Sequence, residues 1–331
     1  MVGDNMEKNK RIDDIDILKA IGIILMILGH IGFGEIFDVW KASFHMPIFF
    51  LASGFLYKKS SFKFADFFKK KFKALIVPYI SFGFLHYLIW FFINISNADK
   101  VDMKKPLINL FTFNNRDLPI SGALWFLTAL FFLEIVYYVL DNLDDKIKYF
   151  IIFSLSLFGC FITSFLRLPL SLDISFMALG LFECGRQFKS QFYDFGKAYS
   201  IIYTIIFTVI GSILSFINGL IIVREGIYNN VLIYYLVALM MTYSMFNISH
   251  MLGKISKNWI YNELLFIGKN SIVYLCINQI VLLPMNSFIS QLSFMPYKAL
   301  AKVFSFFICM IIIHLITHIL NNRNLKWLIG R

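Results

Sequence analysis

The sequence predicts an all-α polytopic transmembrane helical bundle of about ten helices, with both termini on the cytoplasmic side (N-in/C-in). Three observations predict it. Of 331 residues, 59% are hydrophobic and only 15% charged, and the mean hydropathy of +0.71 is far above that of soluble globular chains. Apolar runs long enough to cross a ~30 Å hydrocarbon core, or shorter but bounded by charge, recur along the whole chain. Lysine and arginine are shared unevenly between alternate loops, 20 against 8, and the richer side is placed inside.

The first span, near 15–34, follows a charged head at 1–14 and has no small-residue cleavage site after it, so it reads as a retained helix. The second, 44–57, is short and opens at His45. Seven lysines between 58 and 73 precede the third, 74–96. The segment 97–120 is too short for a domain, and spans follow at 121–140, 149–165, 173–185, 198–223, 230–247, 271–290 and 299–320. No repeat, linker or low-complexity tract divides the chain, so 1–331 reads as a single integral-membrane domain. The short spans 44–57 and 173–185 both begin beside polar residues, His45 and Asp173. Irregular backbone at membrane depth survives only where protein or water covers it, so a cavity is expected at that end.

The first span, DILKAIGIILMILGH, carries three ionisable residues, Asp16, Lys19 and His30. At 100° per residue all three share one face, with Lys19 and His30 about 16 Å apart along the axis. Ionisable groups inside spans are costly and usually functional, and an imidazole with an ordinary pKa near ~6.5 is the usual general base. The face between them, through Ile23 and Met26, is expected to line a passage. His45 falls at a depth similar to His30 and is expected to meet it across one cavity. His86, His250, His314 and His318 lack such company and read as structural or interfacial. Lys69, Lys70, Lys71 and Lys73, at a helix entrance, read either as topology determinants or as a phosphate site reinforced by the helix N-terminus. Glu134 must be paired, protonated or hydrated, with a lysine or a hydroxyl as the structural alternative. Asn278 and Gln279 read as inter-helix hydrogen-bond partners or as ligands.

The net charge of +11 does not imply nucleic acid, because the basic residues are distributed by loop. Cys160, Cys184, Cys276 and Cys309 are scattered singly, with no metal or redox spacing, and read as small hydrophobes.

The ordered set RIDDIDILKAIGIILMILGH, FHMPIFFLASGFLY, KKKFKALIVPY, GALWFLTALF, DISFMALGLFECG and IGKNSIVYL resembles the acyltransferase 3 family of bacterial membrane acyltransferases, in particular its fucose 4-O-acetylase-like branch. The resemblance covers nearly the whole chain. Its most specific part is a basic residue, ten residues and a histidine, reproduced by Lys19 and His30. The chain departs from the family in three places. The basic pair ahead of Pro78-Tyr79 falls on Lys70 and Lys73, or on Lys71 with Ala74. A histidine common in the ninth span is replaced by Asn278 or Gln279. The spacing from Trp125 to Glu134 follows only one branch.

The resemblance implies transfer of an acyl group, usually acetyl, from cytosolic acyl-CoA to a hydroxyl of a surface or lipid-linked carbohydrate, in the cytoplasmic membrane of a bacterium. It makes His30 the catalytic residue, with Lys19 and Asp16 beside it in the catalytic set. His45, Trp125, Glu134, Asp173 and Asn278 are the expected substrate-binding residues, and Lys69, Lys70, Lys71 and Lys73 the expected CoA-binding ones. Acyl-CoA, the acceptor and the bilayer are the expected partners; no metal or nucleic acid is expected, and a homo-oligomer is compatible with the reading. A transporter or flippase for a polar or polyprenyl-linked sugar is the alternative. The lack of matched broken helices in two halves weighs against it.

Overall fold

The computed structural model describes residues 12–59, 63–97, 101–114, 118–120, 122–194, 198–255, 258–322 and 324–331. Lys8, Lys10, Arg11, Lys100, Arg116, Lys197, Lys257 and Arg323, which enter the loop-charge count, lie outside the described residues. Helix α1 (Asp13–Ile31) opens with Asp13, Asp14 and Asp16 in its first turn, where carboxylates favour the macrodipole. It ends at Gly32, whose left-handed backbone (φ 80°) lets its N–H return to the carbonyls of Leu28 and Gly29. After α2 (Glu35–Ala42), α3 (Pro47–Leu56) starts on a proline, which costs nothing in a first turn. Helix α4 (Phe64–Lys71) continues through a π-helical turn (Phe72–Ile76) into α5 (Val77–Asn94), with Pro78 in the first turn of α5.

The chain then forms α6 (Lys105–Phe111), α7 (Trp125–Leu140), α8 (Asp145–Ile162), α9 (Leu172–Phe188), α10 (Ile201–Asn218), α11 (Val231–Ile255) and α12 (Trp259–Lys269). It closes with α13 (Ser271–Gln291) and α14 (Met295–Leu320). Among the described residues the only pairing of strand type is one bridge, Ile222 to Ile227. Five helical stretches are long and apolar enough to cross a membrane: Phe64–Asn94, Ile201–Asn218, Val231–Lys254, Ser271–Gln291 and Met295–Leu320. They mark a multi-pass membrane protein. The other expected spans fall on helices that are short, such as α3, α7 and α9, or that carry several charges, such as α1 and α8. Ten crossings and the inside placement of both termini rest on loop charge and run length alone. Helices α2, α4, α6 and α12 form in stretches the sequence reads as loops, because each is only 7–11 residues and mixes charged with apolar positions.

Helix α1 is the hub, packing against α2, α3, α11, α12, α13 and α14. Its Ile23, Met26 and Ile27 join the main core with Phe50, Tyr79, Phe126, Phe182 and Tyr274. Small residues allow the closest crossings, as expected where backbones must approach in lipid. A Cβ on Gly268 of α12 would lie 1.7 Å from the Asp16 carbonyl oxygen. One on Gly54 of α3 would lie 1.8 Å from that of Phe182, and one on Gly185 of α9 would lie 2.1 Å from that of Leu51. The α3–α9 contact is therefore glycine-mediated from both sides.

Candidate active site

His30 stands one residue before the end of α1, facing α13. Its Nδ1 is 2.6 Å from Asn278 Oδ1. The Asn278 amide nitrogen donates to the carbonyls of Tyr274 (2.9 Å) and Leu275 (2.7 Å), groups that only accept. The amide oxygen must therefore face the imidazole, so His30 Nδ1 carries the proton and donates it. The Nε2 lone pair is left as the ring's proton acceptor. Asn278 is fully buried, which holds the arrangement rigid. The last carbonyls of α1 lack helical partners and are taken up by neighbours. Asn286 Nδ2 donates to the His30 carbonyl at 2.9 Å, and Lys302 Nζ donates to that of Gly32.

His45 sits in the turn before α3, and its Nδ1 donates to the Lys41 carbonyl at 2.9 Å, which selects the same tautomer. The two histidines lie within electrostatic reach of each other, and the charges of Lys41, Asp38 and Arg224 also act on His30. The Lys41 stem crosses Gly29, where a Cβ would lie 2.2 Å from Lys41 Cε. Burial pushes the Lys41 ammonium below the ordinary lysine range, against the pull of Asp38 at 3.5 Å.

A cavity of about 230 Å³ is lined by Trp125, Arg167, Ser171, Asp173 and Arg224, among others. The Arg167 guanidinium pairs with buried Asp173 (Nε to Oδ2, 3.0 Å) and donates through Nη2 to the Arg224 carbonyl at 2.6 Å. The cavity is tied to His30 through α13. Gln279, next to Asn278, packs over Gly122, where a Cβ would lie 2.6 Å from Gln279 Nε2, and Trp125 follows three residues later. The structure thus brings His30 and Asn278 together and sets Trp125 and Asp173 in the neighbouring cavity.

Other expected site residues lie apart from this group. Lys19 pairs with Asp16 at 2.7 Å where α12 crosses α1, with Asp16 buried, and by helical rise Lys19 is about 16 Å from His30. Ile23 and Met26 do not line an open passage: they are buried in the main core, because α1 is surrounded by packed helices at that level. Glu134, at 2.8 Å from Lys71 Nζ, has the lysine partner that the sequence reading held as its structural alternative. Lys69, Lys70 and Lys73 are exposed around the α4 to π-turn junction. His250, with Tyr199, binds Asp14 Oδ2, and Tyr261 binds Asp13 Oδ2, so these groups anchor the start of α1.

Sequence reasoning gave no site role to Lys41, Asn286, Lys302, Arg167 or Arg224. Asn286 and Lys302 were detectable as polar groups within apolar runs. The two arginines were counted only as loop charges, and nothing in their local sequence brings them together.

A model of the acyltransferase 3 family, described as an acyltransferase domain, matches residues 12–319. No curated protein and no solved structure matches the chain.

Proposed function

Because the chain belongs to the acyltransferase 3 family, whose domain spans residues 12–319, we propose that it is a membrane O-acyltransferase carrying an acyl group, acetyl in the simplest case, from acyl-CoA to a carbohydrate hydroxyl. The observation that carries this reading is the His30 tautomer held by Asn278, which leaves Nε2 as a base. His30 Nε2 accepts the proton of the acceptor hydroxyl as its oxygen bonds to the thioester carbonyl carbon. The imidazolium so formed is stabilised at Nδ1–H by Asn278 Oδ1. As the intermediate collapses, the C–S bond breaks and Nε2–H returns its proton to the departing thiolate. Products are the ester and free CoA thiol, and His30 ends neutral. A positioned base of this kind is worth about 100- to 10,000-fold in rate.

His45 assists at the acceptor side, and Trp125 and Asp173, which line one cavity, bind the acceptor. Lys69, Lys70 and Lys73 are exposed and positively charged, suited to the CoA phosphates, while Lys71 is committed to Glu134. Asp16 and Lys19 are positioning residues that fix α1 against α12. The fucose 4-O-acetylase-like branch and a bacterial plasma-membrane location belong to the same proposal.

The test compares surface glycans by mass spectrometry from a deletion strain complemented with the wild type or with His30→Ala. The expected result is one acetyl increment restored by the wild type and not by the variant at equal membrane abundance. Full restoration by His30→Ala would overturn the assignment.

A further inference from the structure

A second cavity, of about 380 Å³, lies toward the end of α1 away from His30, against Ile15 and Leu18. Leu51, Ala52 and Phe55 of α3 complete its floor. One wall is the end of α9 with the turn after it, from Cys184 to Phe192, and the other is Phe207 of α10 with α11 from Leu239 to Phe246. No charged side chain is among the lining residues, and the Gln187 amide, one of the few polar groups there, is already bonded to Glu183, Tyr149 and Gln191. Such a surface favours hydrocarbon over a sugar or a phosphate.

Phe207 lies near the middle of α10, and Leu239 to Tyr243 near that of α11; both helices are long and apolar enough to cross a membrane, which sets the cleft at hydrocarbon depth. Helix α9 packs on α3 and α8, whereas α10 packs on α11 and α2, so the two walls belong to different helix pairs. Beside the lining residues Phe192, Ile206, Ile210 and Leu236 are exposed, an apolar surface that the bilayer covers. At the end of α9 a π-helical turn (Lys189–Tyr193) places Phe188 and Phe192 on the cleft and the Lys189 ammonium over the Phe55 ring, 5.9 Å from its centroid. Helices α3 and α9 both end here, at Leu56 and Phe188, so the cation stands where hydrocarbon gives way to headgroups. Lys189 makes no ion pair among the described residues, while Arg186 one turn earlier is paired with Glu183. Asp194, at the end of the turn, lines a separate polar pocket with His250 and Lys254.

We propose that this cleft is a lipid site that holds one hydrocarbon chain of an anionic phospholipid, with the lipid phosphate at Lys189. The bilayer supplies the chain at the depth of the cleft, and the lysine supplies the charge that selects the headgroup. The bound chain packs on Ile15 and Leu18 of α1 and on the crossing of Gly185 with Leu51, and so braces α1 and α9 against α3. An acyl group under transfer is the poorer occupant. Leu18 is about 18 Å from His30 by helical rise, and the packed side chains of Ile23 and Met26 lie between them. The site is therefore independent of the acyltransferase reading.

The test titrates the purified, delipidated full-length protein in detergent with dioleoyl phosphatidylglycerol or dioleoyl phosphatidylcholine, which share their chains and differ in headgroup charge, and counts bound lipid by native mass spectrometry. The wild type is expected to hold one phosphatidylglycerol about fivefold more tightly than phosphatidylcholine, the worth of one lysine at an anionic headgroup. Lys189→Gln should bring the two lipids level, and Lys189→Arg should keep the preference. Leu239→Trp, which fills the cleft from a half-buried position, should weaken both lipids; because Lys189 stands at the rim, its variants carry the test even where Leu239→Trp fails to fold. Equal affinity of the wild type for the two lipids, an unchanged preference in Lys189→Gln, or wild-type lipid affinity in a normally stable Leu239→Trp would overturn the site. Displacement of the lipid by palmitoyl-CoA, with the palmitoyl group then passed to an acceptor, would overturn it too and assign the cleft to the donor.

Discussion

In the proposed reaction, the hydrogen bond from His30 to Asn278 is what separates a packing histidine from a base. An imidazole near the end of an apolar helix is visible in the sequence; its tautomer is not, because the residue that sets it is 248 positions away. Asn278 is by itself only one of two adjacent polar residues, and its pairing with two backbone carbonyls appears only in the fold. Asn278→Ala should lower kcat by about 10- to 100-fold, the worth of one hydrogen bond to a charged group, with little change in KM for the donor. Steady-state kinetics at saturating acyl-CoA check this. A loss confined to KM would assign Asn278 to substrate binding instead. The arginines of the cavity illustrate the opposite limit: Arg167 and Arg224 are far apart in sequence and look like ordinary loop charges until the fold joins them.

Gly54, Gly185 and Gly268, which lie in the motifs quoted above, become crossing points between helices, and the lysine run has one member turned inward while three stay exposed. Gly54, Gly185 and Gly268 admit neighbouring carbonyl oxygens that no Cβ would allow. In the run at 69–73, Lys71 turns inward to Glu134, whose side chain is 8% exposed. The sequence could place Glu134 in an apolar helix and require a partner for it, yet not choose among candidates, because the choice depends on the π turn and the angle between α4 and α7. Lys71→Met should leave the Glu134 carboxylate buried without its cation and destabilise the protein by about 3–5 kcal/mol. Lys71→Met with Glu134→Gln should recover most of the loss. Lys69→Gln, Lys70→Gln and Lys73→Gln should instead leave thermal stability near the wild type and raise KM for acyl-CoA. Thermal unfolding in detergent alongside donor titrations separates the two roles, and a wild-type melting temperature for Lys71→Met would contradict the pairing.

For the molecule as a whole, hydrophobic composition was enough to read an all-helical membrane chain, and α1, singled out for its ionisable stripe, is the helix around which six others pack. The expected passage along that stripe was not legible correctly. Helical phase places Ile23 and Met26 on one face with Lys19 and His30, but phase does not say whether the facing helices leave a gap, and here they close it. A donor arm therefore needs another route to His30, or helix movement that opens this one. We propose, as the central claim, that His30 joins a donor from one face of the membrane to an acceptor at the other. It is tested most directly in proteoliposomes carrying oriented protein, with radiolabelled acetyl-CoA supplied only at the face bearing Lys69, Lys70 and Lys73 and a carbohydrate acceptor only at the opposite face. The wild type should label the acceptor across the bilayer, with no labelling when the sides are exchanged, and His30→Ala should label none in either arrangement despite normal folding. Equal labelling by His30→Ala, or transfer only when both substrates share one face, would contradict the claim.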